Sequence, residues 1–255
     1  MIRAKERVEV RVIRRGRVVA EVESEGNTLT SAFLARLRTE LTSNVDVNRV
    51  LPLSAVEIRS GATVLGSATL TSGDITIDDT TMEIRVSKSV TVSTSGTVDS
   101  VALVAGTDAD RHDVTVVTLD SPVSVTTGDI VVVAYTGRFY CVADNLLGLL
   151  SDASLYDTPL VLRIYQRLAN VVTYCMRVAK VEYVDDVGNV ALSVDTLNDT
   201  DNAIIIAPQT ATTIAFNLKT IRFCDSGGRT LLSWIKATAL RIPANTYLQV
   251  RVQVA

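Results

Sequence analysis

His112 is the only histidine in the chain, so any Ser-His-Asp or Cys-His machinery would have to be built around it. It stands in Gly106-Thr-Asp-Ala-Asp-Arg-His-Asp113, a polar stretch that reads as an exposed hairpin tip carrying a solvated imidazole. The acids of that stretch, Asp108, Asp110 and Asp113, are hard-oxygen donors of the kind that ligate Ca2+. Asn198, Asp199, Asp201 and Asn202 form a similar group. Neither group has EF-hand spacing, and acid pairs of this kind are common in ordinary loops. Paired carboxylates for glycoside hydrolysis are set by separation in space and leave no mark in sequence.

Cys141, Cys175 and Cys224 complete the reactive inventory. They show no CxxC spacing and have no histidines to share a metal with, which argues against zinc. An odd number in a chain of this size argues against a disulfide framework and for assembly in a reducing compartment. They read as small buried apolar side chains. There is no P-loop, no GxGxxG after a strand, no HExxH and no GxSxG. Aromatic residues are 5% of the chain, few for a sugar-binding cleft, and the lone Trp234 in Leu231-Leu-Ser-Trp-Ile-Lys236 reads as core. The sequence therefore predicts a protein that is not an enzyme, with no catalytic, cofactor-binding or metal-binding residue and no cofactor.

The elements that would carry any site are mostly strands. Val8, Val10 and Val12 alternate with Glu9 and Arg11, the period of a half-buried strand, and Val18–Val22 returns after Arg14-Arg15-Gly16-Arg17. Seven basic side chains lie in residues 1–17 (Arg3, Lys5, Arg7, Arg11, Arg14, Arg15 and Arg17), followed by Glu21, Glu23 and Glu25. A hairpin would set these charges facing each other, so the basic run has a structural reading beside that of nucleic-acid or anionic-surface contact. Asn27–Leu41 predicts a helix, with Thr28 or Thr30 as N-cap and Leu29, Phe33, Leu34, Leu37 and Leu41 on one face, Glu40 on the other. A second, weaker helical opening is read at 144–155. Thereafter Val, Ile and Thr dominate, with strands predicted at 55–59, 63–70, 82–92, 97–104, 113–119 and 130–135. In the second half they are predicted at 160–168, 171–183, 189–194, 203–206, 212–223, 230–237 and 247–254.

Pro122–Tyr135 and Leu240–Val252 close the two halves with one cadence, Val125 aligning with Ile242, Gly128 with Asn245 and Val133 with Val250. Gly and Asn share tolerance of positive φ, so the turn chemistry matches as well. A repeat of this length implies two similar β modules. The expected class is all-β: two tandem antiparallel β-sandwich, jelly-roll-like modules over 1–142 and 143–255, each with a short helix near its start. The chain of 255 residues, 47% hydrophobic and 21% charged with net charge −3, supports a sizeable core and announces no polyanion partner. No apolar run reaches the 18–20 residues that span a bilayer.

Asn27-x-Leu29-Thr30 opening a short helix, then the strand Val56-Glu-Ile-Arg-Ser-Gly61, the strand Val101–Val104 and the Pro122-Val-x-Val-x-x-Gly-Asp129 phrase together resemble structural proteins of tailed phages and archaeal viruses. The resemblance is to β modules of tail, baseplate, fibre or capsid-associated components, and Leu231–Val252 echoes it. It covers most of the first half and the ends of the second, through turns and alternation, while 156–210 departs from it. It implies a virion protein assembled in the host cytoplasm, whose partners are copies of itself and other virion proteins. It implies no catalysis and no membrane, with nucleic-acid contact by the basic N-terminus a lesser expectation. The alternative is a carbohydrate- or cell-surface-binding module, such as a receptor-binding tip.

Overall fold

The computed structural model describes residues 2–26, 28–43, 51–142, 152–172, 176–199 and 204–253. The chain opens on the hairpin β1 (Ile2–Arg14) and β2 (Arg17–Gly26). Its two-residue turn holds Arg15 and Gly16 at φ of 51° and 76°, the doubly positive geometry that matches strand twist. Even-numbered residues of β1 point inward, and Ala4, Val8, Val10 and Val12 are fully buried. Burying each valine contributes about 1.5–3 kcal/mol.

Helix α1 (Ser31–Thr42) follows, capped by Thr30, whose hydroxyl accepts from Phe33 N–H at 3.2 Å. The strands β3 (Leu53–Ser60), β4 (Thr63–Thr69), β5 (Ile75–Asp78), β6 (Glu83–Thr91), β7 (Gly96–Ala105), β8 (His112–Val125) and β9 (Ile130–Cys141) complete the first half. They form two antiparallel sheets, β2-β1-β9-β6-β5 and β4-β3-β7-β8. Inward side chains of both sheets, with Phe33, Leu37 and Leu41 of α1, share one apolar cluster.

The second half contains β10 (Ala153–Tyr156), α2 (Thr158–Leu168), β11 (Lys180–Asp185), β12 (Val190–Asp195), β13 (Leu197–Asp199), β14 (Ile204–Ala211), β15 (Phe216–Cys224), β16 (Thr230–Ile242) and β17 (Tyr247–Gln253). Its sheets run β10-β16-β15-β11-β12 and β13-β14-β17. Seven strands repeat the first half's plan: β4-β3-β7-β8 matches β12-β11-β15-β16, and β5-β6-β9 matches β13-β14-β17. The irregularities repeat too. Register shifts fall between Val98/Ser100 and Leu103/Val104 along β7, and between Leu218/Thr220 and Phe223/Cys224 along β15. Bulges re-aim a strand by inserting a residue, so a shared pair at one spacing marks a shared backbone design. The closing turns agree in detail. Gly128 N–H donates to Val92 O and Val92 N–H to Asp129 O; Asn245 N–H donates to Thr212 O and Thr212 N–H to Thr246 O. Gly128 and Asn245 sit at φ of 89° and 60°.

The sequence reading differs from the structure around α2. The helical opening read at 144–155 falls mostly on 143–151, outside the described residues, and Ala153–Tyr156 is strand. The strand read at 160–168 is α2. Leu160, Leu162 and Ile164 alternate like a strand, but Leu160, Ile164 and Leu168 recur every fourth residue, and Pro159 lies in the first turn, where its missing N–H costs nothing. Of the strand read at 171–183, pairing begins only at Lys180, and 173–175 lie outside the described residues. Leu160, Val161, Ile164, Tyr165, Leu168 and Met176 join the first apolar cluster, and the second runs from Val178. The core thus divides later in the chain than the 142/143 boundary read from sequence, because α2 packs back on the first half.

Candidate assembly surface

The outward residues of β1 build a charged face on the five-stranded sheet. Arg7 pairs with Glu23 at 2.7 Å and Glu9 at 3.0 Å, and Arg11 with Glu21 at 2.7 Å. Across β9, Arg85 reaches Glu83 at 2.8 Å and Asp78 at 3.4 Å. Exposed pairs like these contribute about 0–1 kcal/mol each, so they set the pattern of charge more than the stability. Lys5 stands directly opposite Arg138 in the β1·β9 register, and neither is in an ion pair with another described residue. A groove of about 830 Å³ runs along this face, lined by Lys5, Arg7, Glu25, Glu83, Arg85 and Arg138 among others.

The hairpin tip is fastened by Arg14. Its Nε and Nη2 donate to Asp129 Oδ1 and Oδ2 at 3.0 and 2.7 Å, and Thr126 N–H donates to Asp129 Oδ2 at 2.8 Å. The Arg14 guanidinium, with those Thr126 donors, holds the Asp129 carboxyl well below the usual carboxylate range. Beneath the sheet, Glu6 is buried and accepts from Tyr135 OH and Thr115 Oγ1, both at 2.8 Å. Burial raises its pKa above 4.5, against the lowering effect of the two hydroxyls. Two or three good hydrogen bonds replace the water that the carboxyl loses.

Two further carboxylates tie elements together. Glu40 of α1 lies 3.3 Å from Arg167 of α2, with 0% and 2% of the side chains exposed, and accepts from Met176 N–H at 3.1 Å. Asp157 precedes α2 and accepts from Cys141 N–H at 2.6 Å, while Phe139 N–H donates to Tyr165 OH at 2.6 Å. Both contacts dock α2 on the end of β9. Glu40, read from sequence as a solvent-side residue, is buried because the partner that neutralises it is 127 residues away.

His112 is half-buried rather than solvated. Its ring stacks on Phe33 with centroids 6.4 Å apart, and Nδ1 lies 2.9 Å from Asp110 O. Asp113 is engaged by Arg59, at 2.7 and 2.6 Å to its two oxygens, and Arg59 also grips Glu57. That carboxylate is thereby occupied by a guanidinium, and Asp110 lies 3.7 Å from Arg36. Among the described residues no group of three or more His, Cys, Asp or Glu could hold a metal ion. Of the second group, Asn198 lies in strand β13 and donates to Val178 O at 2.8 Å, while Asp201 and Asn202 lie outside the described residues. Trp234 is 8% exposed and belongs to the second apolar cluster. Cys141 and Cys224 are free thiols. Burial, and then Asp157, pushes Cys141 up to about 12, far from the range of a reactive thiolate. Cys175 lies outside the described residues.

Comparison with known proteins yields no match. No family model, no curated protein and no solved structure resembles the chain closely enough to identify it. The surface itself must carry the functional reading.

Sequence reasoning found the hairpin charges and missed four features. Glu6 breaks the inward row Ile2, Ala4, Val8, Val10, Val12, so alternation alone marks it as a buried carboxylate. Arg14–Asp129 and Glu40–Arg167 join residues too far apart for any spacing rule. Lys5 and Arg138 need the β1·β9 register before they become neighbours.

Proposed function

We propose that the protein is a virion structural component, built as two kindred β-sandwich, jelly-roll-like modules that meet other copies or other virion proteins through strand edges. The observation that supports this most is the repeated seven-strand plan, register shifts included. Two like modules in one chain provide two pairs of equivalent edges, β4 with β12 and β5 with β13, the raw material of a repeating contact. The charge pattern agrees. Arg7, Arg11 and Arg14 are consumed by Glu23, Glu21 and Asp129 of the same chain, which leaves the basic N-terminal run poorly suited to wrapping a polyanion. No helix among the described residues is long and apolar enough to cross a membrane. The glycan-binding alternative loses its best aromatic platform, because Trp234 faces the core.

Negative-stain imaging of the purified protein tests the reading. Rings, tubes or shells are expected, alone or with lysate from infected cells. A uniformly dispersed population of single particles under all such conditions removes it.

A further inference from the structure

The two copies differ at two strands: β16 is flanked by β10 where its counterpart β8 pairs only with β7 among the described strands, and β9 differs from β17. In the first half β9 is paired on both edges, by β6 and by twelve residues of β1. Its counterpart β17 is paired only by β14 among the described residues. Among the described residues the hairpin that covers β9 has no equivalent on the second copy of the plan.

The open edge is well formed. Thr212 N–H donates to Thr246 O at 2.9 Å, so even-numbered residues of β17 turn their backbone groups toward β14. By strand alternation Tyr247, Gln249, Arg251 and Gln253 present N–H and C=O to the open side. Such a row is a template for another strand. Its side chains alternate as well: Tyr247, Gln249 and Arg251 are exposed, Tyr247 by 66%, while Leu248, Val250 and Val252 turn to the second core.

We propose that β17 pairs antiparallel with β17 of a second copy across a two-fold axis at Gln249. The segment is self-complementary in that register. Tyr247 of each copy faces Arg251 of the other, which places a guanidinium beside an aromatic face twice over. Gln249 meets Gln249, two amides that can exchange hydrogen bonds. On the inner face Leu248 meets Val250. The outward-facing backbone groups of Tyr247, Gln249 and Arg251 fall in hydrogen-bonded pairs, and no like charges are opposed. The result is a continuous sheet β13-β14-β17·β17-β14-β13, an isologous contact that closes at two copies. The β1·β9 ladder shows the same backbone position accepting an antiparallel strand within this chain. The pairing goes beyond the virion reading and does not depend on it.

Two substitutions at Gln249 test it on the full chain, by light-scattering mass over a concentration series. Gln249→Pro deletes an N–H that the β14 ladder does not use, so the protein keeps its fold by circular dichroism and becomes monomeric. Gln249→Cys brings two thiols into a hydrogen-bonded pair with Cα atoms about 5.5 Å apart, within disulfide reach. Mild oxidation then yields a covalent dimer that the parent does not form. Arg251→Ala weakens the dimer about five- to thirtyfold through loss of two cation–π contacts. A monomeric parent overturns the proposal, as does a dimer indifferent to Gln249→Pro or a Gln249→Cys protein that does not cross-link. Growth beyond two copies that Gln249→Pro abolishes also overturns it, in favour of a head-to-tail contact with another edge. Absence of particles in negative stain leaves the dimer standing, and a monomer in solution leaves open particles built on other surfaces.

Discussion

Replacing Glu40 by Ala isolates the buried ion pair between α1 and α2. Glu40 and Arg167 are 0% and 2% exposed and 3.3 Å apart. At an effective dielectric of about 20 their attraction is roughly 5 kcal/mol. Removing the carboxylate forfeits that attraction, orphans Met176 N–H and leaves a guanidinium out of water, while the desolvation of Glu40 itself is recovered. The expected net cost is about 3–5 kcal/mol, as for other broken buried pairs. In urea the unfolding midpoint should fall by about 1–2 M, followed by circular dichroism, with Trp234 fluorescence reporting the second cluster. The double variant Glu40→Met with Arg167→Met replaces both charges by flexible apolar chains and should recover to within about 2 kcal/mol of the parent. A single variant costing less than about 1 kcal/mol would refute the claim that this pair is desolvated. A double variant as unstable as the two singles summed would refute the claim that the charges need each other.

The turn and core predictions are independent of that pair. Asn245→Ala should cost about 1–2 kcal/mol and Asn245→Gly almost nothing, because the residue sits at φ 60°; thermal melts of the two variants compare them directly. Gly137→Ala places a methyl group against the Tyr135 hydroxyl and ring. It should cost about 1–3 kcal/mol by overpacking and loosen the Tyr135–Glu6 bond, visible as a changed tyrosine spectrum. Glu6 gives a pH signature. Its folded-state pKa is raised above 4.5, so the folded protein binds that proton more tightly than the unfolded chain. Stability therefore rises as pH falls from neutrality through the raised value toward about 4.5. Glu6→Gln should abolish that rise in denaturant midpoints measured across the range, and an unchanged profile would show that another group is responsible.

Much of the fold is legible because β-branched alternation and turn residues are local signals. The Arg15-Gly16 turn, Thr30 as N-cap and the Gly128/Asn245 equivalence all follow from φ preferences or capping chemistry that single residues carry. The helix at Thr158–Leu168 was obscured by two periods written over one another, two-residue spacing at Leu160, Leu162 and Ile164 against four-residue spacing through Leu168. The extent of the duplication was obscured for another reason. Equivalent residues are 120 apart along β7 and β15 (218 − 98) but 117 apart at the closing turns (245 − 128), so one fixed offset cannot align both. The surface is legible only in part: cross-hairpin charges follow from strand pairing, whereas Lys5 beside Arg138 and the flank of β17 that no described strand pairs emerge only once distant strands are assembled.

Helix α2 acts as a latch between the halves. Tyr165 takes Phe139 N–H and gives its own proton to Met82 O, so a residue from the later part of the chain occupies a keystone position in the earlier core. A backbone nick anywhere between β9 and β10 would consequently leave the two fragments clasped together, and they would separate only when the first core melts.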